Sequence, residues 1–177
     1  MKKMNVTHLT KAAAIAAIYV VLTYVANIFG LSNGVIQIRI SEALTILPFF
    51  TPIAVPGLFV GCLISNILTG CMPLDILFGS IATLLGGIGT RMIGSLYHKK
   101  RGIGQPVKLL RWLTPLPPII TNTLIVPFIL AFVYRFQGSI PYFMLTVGIG
   151  ELISCGVFGL LLQCVLHKYA PILFPEE

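Results

Sequence analysis

Charged residues are scarce in this chain of 177 residues, and acidic residues are the scarcest: 12 residues are Lys or Arg and only 5 are Asp or Glu. Charged residues make up 10% of the sequence and hydrophobic residues 56%, and the mean hydropathy is +0.96. A soluble domain of this length needs far more charge to cover its surface. The composition therefore excludes a soluble enzyme and favours a protein embedded in a lipid bilayer.

Sequence motifs of enzymes are also missing. The chain has no GxSxG nucleophile elbow, no HExxH zinc motif and no phosphate-binding loop with a Walker lysine. Its 4 cysteines form no CxxC pair and lie among apolar residues, which predicts ordinary membrane-helix positions for them. Its 3 histidines flank predicted helix ends, so neither a metal site nor a cofactor is expected. A chain without a nucleotide site cannot drive ATP-powered transport by itself.

Long charge-free stretches divide the chain into membrane spans. Such stretches follow Lys11, Glu42 and Arg111, and each reaches the roughly 20 residues that cross a bilayer. The second is too long for one span and contains prolines, which disfavour an uninterrupted helix. We therefore predict an all-α integral membrane protein, with one membrane domain over residues 1–177 folded as a compact bundle of about six transmembrane helices. The predicted spans cover about residues 11–30, 41–50, 53–69, 76–97, 113–134 and 140–167.

The basic residues predict the orientation of this bundle. They concentrate before the first span, in a loop over residues 98–111 and after the last span, which are all on one side of a six-span bundle. Because Lys and Arg are enriched in cytoplasmic loops, we predict that both termini and the 98–111 loop are cytoplasmic. The formal net charge of +7 then reflects membrane orientation and not nucleic-acid binding.

Few acidic residues remain once the C-terminal Glu176 and Glu177 are set aside, namely Glu42, Asp75 and Glu151. In the predicted topology Glu42 and Asp75 face the outer side, and Glu151 lies within the sixth span. Ionisable groups at membrane depth are costly unless they face the bundle interior and have partners. The sequence therefore predicts a polar, acid-lined cavity in the outer half of the bundle.

Other polar residues can join this cavity, namely Gln37, Arg39, Asn66 and Asn122. Simpler interpretations stay open at this point. Arg39 and Glu42 are three residues apart and could pair on one helical turn, and Asp75 could cap the fourth span. The asparagines and Glu151 could instead form hydrogen bonds between helices.

Small residues repeat at four-residue spacing on the first span. The pairs are Ala12/Ala16 and Ala13/Ala17. Such pairs allow another helix to approach closely, either inside the bundle or from a separate protein. Gly57 and Gly61 repeat the pattern on the third span, where packing inside the bundle is favoured.

Several sequence blocks are specific enough to compare with known families. They include QIRISEAL at residues 37–44, LPFFTP at 47–52, LDILFGS at 74–80 and GIGEL at 148–152. These blocks resemble the QueT family of queuosine-precursor transporters, and the resemblance extends roughly over residues 8–168.

The resemblance implies a function. QueT proteins are similar to the substrate-binding S-components of energy-coupling factor (ECF) transporters, which are six-helix proteins of the cell membrane, in bacteria the cytoplasmic membrane. The chain would capture a 7-deazaguanine, such as queuine or its aminomethyl precursor, from outside. It would then dock through its alanine-rich first helix on a transmembrane T protein and two cytosolic ATPases, which carry out ATP hydrolysis. Glu42, Asp75 and Glu151 would accept hydrogen bonds from the ligand, with Gln37, Arg39, Asn66 and Asn122 around them.

Other functions remain open at the level of sequence. The chain could be an S-component for another vitamin, because three acids also suit other cationic or donor-rich ligands. A stand-alone transporter or channel is less consistent with 177 residues that show no inverted repeat. An intramembrane enzyme using Glu151 lacks a nucleophile–base constellation, so no catalytic residue is expected.

Overall fold

Helices make up nearly all of the chain in the computed structural model, which describes residues 6–31, 37–102 and 108–174. The α-helices are α1 (Val6–Ile28), α2 (Ala54–Leu68), α3 (Pro73–Gly102), α4 (Lys108–Trp112), α5 (Leu116–Phe132), α6 (Ile140–Glu151) and α7 (Leu160–Leu173). A 3₁₀ helix, Ile40–Phe49, precedes α2, and a π-helical segment, Leu152–Gly159, joins α6 to α7. The described residues contain no strand, which confirms the predicted all-α fold.

The helical stretches also confirm a multi-pass membrane protein. Four of them are long and apolar enough to cross a membrane, namely Val6–Ile28, Pro73–Arg101, Lys108–Phe132 and Ile140–Ala170. Two shorter apolar helices, Ile40–Phe49 and Ala54–Leu68, complete a bundle of six helical stretches in the described chain. Each of the six predicted spans therefore corresponds to one helical stretch.

Helix α3 is longer than the predicted span 76–97. It begins at Pro73. Proline is favoured in the first turn of a helix because the N–H group that it lacks would have no acceptor within the helix there. Asp75 in the first turn and Lys99–Arg101 in the last turn complement the helix dipole, so the helix continues into the basic residues. The predicted loop 98–111 is therefore partly helical, and its residues 103–107 lie outside the described residues.

The 3₁₀ helix forms the centre of the bundle. Its residues Ser41–Phe49 are all buried, although they include Glu42. At roughly 2.0 Å per residue this helix is too short to cross a hydrocarbon core of about 30 Å by itself. A Cβ atom on Gly94 of α3 would lie 2.8 Å from the Cα atom of Phe49, so glycine is what allows α3 to pack against this backbone.

Helices α1 and α2 pack closely through small residues. A Cβ atom on Gly61 would lie 2.9 Å from the Cβ atom of Tyr19 and 3.1 Å from the Cα atom of Ala16. A Cβ atom on Gly57 would lie 2.8 Å from the carbonyl oxygen of Ala12. These distances leave no room for a side chain on α2, which confirms the internal packing predicted for Gly57 and Gly61.

Candidate functional site

A polar cavity of about 310 Å³ lies at the end of the bundle where α1 and α2 end and α3 begins. Its lining includes Gln37, Arg39, Asn66, Asp75, Tyr134 and Phe136. This end is opposite to the first turn of α1 and to the basic end of α3, so it is the predicted outer side. The volume is at the lower end of the range for small-molecule pockets, about 300–1,000 Å³.

Asp75 is buried in the wall of this cavity and is bound by Tyr134. Its side chain is 4% exposed, and Oδ2 accepts a hydrogen bond of 2.8 Å from the hydroxyl of Tyr134, which follows the span that ends at Phe132. Burial, together with this hydrogen bond, raises the pKa of the Tyr134 phenol, which therefore stays a protonated donor. A Cβ atom on Gly79 would lie 3.3 Å from both Asp75 Oδ1 and Asn66 Nδ2, so glycine leaves both polar groups room at the cavity.

Arg39 and Gln37 approach the cavity on extended backbone before the 3₁₀ helix. Arg39 Nη2 donates a hydrogen bond of 3.3 Å to Gln37 Oε1, and the Arg39 backbone N–H donates one of 3.1 Å to Ser154 Oγ. A Cβ atom on Gly150 would overlap the carbonyl oxygen of Gln37, so α6 accepts this backbone only at a glycine. Arg39 and Asp75 line the same cavity.

This arrangement replaces the alternative in which Arg39 and Glu42 pair on one helical turn. Arg39 has φ −98° and ψ 95°, which places it before the helix and not on it. The Glu42 Oε1 atom accepts hydrogen bonds from the Tyr19 hydroxyl and, at 3.4 Å, from Thr83 Oγ1. The Arg39 side chain therefore forms its hydrogen bond with Gln37 at the cavity, and its contact with Glu42 is a backbone hydrogen bond of 2.9 Å from the Glu42 N–H to the Arg39 carbonyl oxygen.

Glu42 and Glu151 form a buried acid pair. Their side chains are 1% and 6% exposed, and a carboxylate oxygen of each and the sulfur of Cys155 all lie within 4.8 Å of one another. Cys155 donates a hydrogen bond of 3.2 Å to Glu151 Oε2. Asn122 of α5 approaches both carboxyl groups. The predicted residues Glu42, Glu151 and Asn122 are therefore brought together by the fold.

The π-helical segment contributes to this arrangement. Glu151 is the last residue of α6, and Cys155 lies inside Leu152–Gly159. Wider π-type turns are rare and often occur at functional sites. The segment also positions Ser154, whose hydroxyl accepts the hydrogen bond from the Arg39 backbone, so it supports both groups of polar residues.

Hydrogen-bonded side chains connect the lining of the cavity to the surroundings of the acid pair. The hydroxyl groups of Thr23, which lines the cavity, and Ser41, which precedes Glu42, share a hydrogen bond of 2.7 Å. On the other side Asn66 Nδ2 donates to Cys62 Sγ at 3.6 Å, and Cys62 Sγ lies 3.4 Å from Thr83 Oγ1. The single acid-lined cavity expected from the sequence is therefore two adjacent groups, an open cavity with Asp75 and a buried pair beneath it.

Known proteins similar to this chain include a family of transporters. A sequence model of the QueT transporter family matches residues 9–168. The chain belongs to the QueT transporter family. It is also 35% identical over 85 residues to the queuosine precursor transporter QueT of Lactococcus lactis subsp. cremoris (strain MG1363). That match covers 48% of this chain and 50% of the relative, so about half the length of the curated relative is matched, and no solved structure matches the chain.

The QueT family match confirms the resemblance inferred from the sequence blocks. Residues of both the cavity and the buried pair lie inside the matched range. Four of the predicted residues line the cavity, namely Gln37, Arg39, Asn66 and Asp75, and the other three lie in the buried group. The family match and the geometry therefore involve the same part of the chain.

Several residues of this candidate site were not predicted from the sequence. Tyr19 and Thr83 bind Glu42, and Tyr134 and Phe136 supply aromatic rings at the cavity with centroids 5.8 Å apart. One signal was present for Tyr19, because it is followed four residues later by Thr23 on the same face of an otherwise apolar helix. Cys155 was predicted to be an ordinary membrane-helix residue, and its thiol lies within 4.8 Å of the carboxyl groups of Glu42 and Glu151.

The alanines of α1 border a second, apolar groove of about 450 Å³ at the opposite end of the bundle. Ala12, Ala13 and Ala16 line it from α1, and residues including Gly57 line it from α2. Ala16 is buried against α2, whereas Ala13 and Ala17 are exposed. The small residues of α1 therefore serve internal packing on one face and leave a second face open.

Proposed function

We propose that this QueT-family protein is the substrate-binding S-component of an ATP-driven ECF importer and captures a 7-deazaguanine precursor of queuosine from outside the cell. The observation that carries the proposal is the polar cavity at the predicted outer end, with Asp75, Arg39 and two aromatic rings in its wall. The family match and the name of the curated relative support the choice of substrate.

The cavity offers hydrogen-bonding groups that complement a guanine-type ring. Such a ring presents an N–H and an NH₂ donor side by side, which suit one carboxylate in a two-point contact. Asp75 provides that carboxylate at the cavity wall. Arg39 or an amide of Gln37 or Asn66 then donates to the ring carbonyl.

Aromatic side chains at the cavity suit the flat faces of the same ligand. The rings of Tyr134 and Phe136 are inclined by 28° to each other. A purine-like ring gains about 1–3 kcal/mol from stacking on an aromatic side chain. Glu42, Glu151 and Asn122 lie beneath this position and bind the part of the ligand that extends inward.

The absence of a nucleotide-binding motif and the groove on α1 support the partners that we propose for this subunit. The sequence carries no nucleotide-binding motif. In the proposed complex, as the resemblance to S-components implies, ATP is hydrolysed by two cytosolic ATPases that act with a transmembrane T protein. The apolar groove with Ala12, Ala13 and Ala16 lies at the predicted cytoplasmic end, where such a module would bind. Ala17 extends the same small-residue surface. The location is then the cytoplasmic membrane of a bacterium.

Isothermal titration of the detergent-purified, ligand-free protein tests the substrate. The ligand is 7-aminomethyl-7-deazaguanine, and guanine, riboflavin and thiamine serve as controls. Tight binding of the deazaguanine alone supports the proposal, and its failure to bind to folded protein overturns it. Uptake of the same compound by cells that lack the ATPase module would instead indicate a stand-alone transporter.

A further inference from the structure

The buried acid pair concentrates negative charge inside the bundle. One carboxylate oxygen of Glu42, one of Glu151 and the sulfur of Cys155 lie within 4.8 Å of one another. Two ionised carboxylates at this separation repel each other strongly, because the protein interior screens charges less than water does. Buried charges of this kind require a positive partner or a proton.

Arg39 supplies too little positive charge for this region. It lines the cavity together with Asp75, and that lining includes neither Glu42 nor Glu151. Its guanidinium donates a hydrogen bond to Gln37. One guanidinium is therefore too little for three carboxyl groups, so the acid pair needs a proton or a further cation.

One oxygen of the acid pair also lacks a donor. Glu42 Oε1 accepts hydrogen bonds from Tyr19 and Thr83, whereas the buried Oε2 has no hydrogen-bond partner among the described residues. An unsatisfied buried acceptor is costly, and a charged one more so. Glu42 is 1% exposed, so this oxygen is not satisfied by contact with bulk water. This oxygen can accept a hydrogen bond from a ligand.

A protonated amine satisfies both requirements. An ammonium group carries one positive charge and has N–H donors on several sides, so it can donate to Glu42 and Glu151 together. Asn122 approaches both carboxyl groups with its amide N–H donors, which stabilise negative charge on them without neutralising it. Thr23 and Asn66 line the cavity, and Thr23 forms a hydrogen bond with Ser41 beside Glu42, so we place the ring in the cavity and its amine at the pair.

We propose that Glu42 and Glu151 form a cation subsite for the protonated amine on the 7-substituent of the ligand. The protein therefore selects cationic 7-deazaguanines over neutral ones of similar size. This inference rests on the proposed function and adds to it the charge of the substrate and the residues that bind the charged group.

The test compares two ligands of nearly equal shape. The first is 7-aminomethyl-7-deazaguanine, which is cationic at neutral pH, and the second is 7-hydroxymethyl-7-deazaguanine, which is neutral. Titration of the wild-type protein should show roughly tenfold to hundredfold tighter binding of the amine, which corresponds to the range for charge-assisted hydrogen bonds. Equal affinities for the two ligands would overturn the inference and leave the proposed function standing.

Glutamine variants test whether the acid pair causes the preference for the cationic ligand. In Glu151→Gln and Glu42→Gln the ratio of the two affinities should fall toward one, because an amide retains the shape but not the charge. In Asp75→Asn both affinities should fall and the ratio should persist, because Asp75 binds the shared ring. A ratio that stays at its wild-type value in both glutamine variants contradicts the assignment.

The experiments distinguish failure of the proposed function from failure of the cation subsite. If neither ligand binds to folded protein, the proposed function fails, and not only the cation subsite. If a glutamine variant does not fold, the ligand pair on the wild-type protein still decides whether the site prefers a cation. Thermal unfolding of each variant in detergent shows which case applies.

Discussion

The Tyr134 hydroxyl donates a hydrogen bond of 2.8 Å to Asp75 Oδ2 and so connects the segment after α5 to the first turn of α3. The same oxygen of Tyr134 accepts a hydrogen bond of 3.3 Å from the backbone N–H of Met72. These two contacts join the start of α3 to the far wall of the cavity. They orient the carboxylate that we expect to bind the ring of the ligand.

Removing the Tyr134 hydroxyl should weaken ligand binding. Tyr134→Phe keeps the ring beside Phe136 but loses the donor to Asp75. The loss of one such hydrogen bond costs about 1 kcal/mol, or roughly a fivefold fall in affinity by titration. Tyr142→Phe is the matched control, because Tyr142 is half exposed and lies outside the cavity lining. Equal affinities of the two variants would show that Tyr134 does not position Asp75.

Asp75→Asn should remove recognition of one edge of the ring. An amide cannot accept two adjacent donors, so affinity for a 7-deazaguanine should fall roughly tenfold to hundredfold. A ligand without the ring NH₂ group sharpens the test. Loss of this group should weaken binding to the wild-type protein and have little further effect on Asp75→Asn, since the two changes remove one interaction. Additive losses would place the NH₂ group elsewhere.

Gly150→Ala should disturb both the fold and the site. A Cβ atom at Gly150 would overlap the carbonyl oxygen of Gln37 and displace the backbone that carries Arg39. Overpacking of this kind costs about 1–3 kcal/mol. Thermal unfolding and ligand titration should therefore both show a loss.

Gly148→Ala is the matched control for this change. The added Cβ atom at Gly148 would lie 3.6 Å from Thr123 Cγ2, which is ordinary contact. Alanine also favours a helix over glycine by about 1 kcal/mol. Gly148→Ala should therefore be neutral or slightly stabilising, and an equal loss in both variants would contradict the close contact at Gly150.

Ala13→Leu should weaken assembly with the transport module without affecting ligand binding. Ala13 is exposed and lines the apolar groove, so a larger side chain obstructs a helix that approaches there. Ala14→Leu is the control, because Ala14 is exposed on α1 but lies outside the lining of that groove. Co-purification with the T protein and ATPases measures the effect. Equal yields from both variants would place the docking surface elsewhere.

Hydropathy and charge were sufficient to predict the helical bundle because burial of a helix in lipid depends on length and composition. They did not predict that Ile40–Phe49 is a 3₁₀ helix, since its apolar residues suit an α-helix equally well. The position of this helix depends on close backbone contacts such as that between Gly94 and Phe49. Such contacts join residues far apart in the sequence, and no local pattern reveals them.

For the candidate site, too, the sequence predicts some features and only the structure shows the others. The scarcity of acids in the sequence singles out Glu42, Asp75 and Glu151, because an acid at membrane depth needs a reason to be there. Hydropathy predicts how deep such a residue lies but not which neighbour its side chain faces. The pairing of Glu42 with Glu151, and its separation from Asp75, depends on how the helices pack against one another.

The sequence by itself determined that this is a multi-pass helical membrane protein of the QueT family with very few acidic groups. Apolar length and motif blocks are local properties, so they can be read along the chain. Only the tertiary structure decided that Tyr134 binds Asp75 and that Glu42 Oε2 remains without a donor among the described residues. These relationships depend on directions and distances between separate helices, which arise from side-chain packing and close backbone contact in the folded bundle.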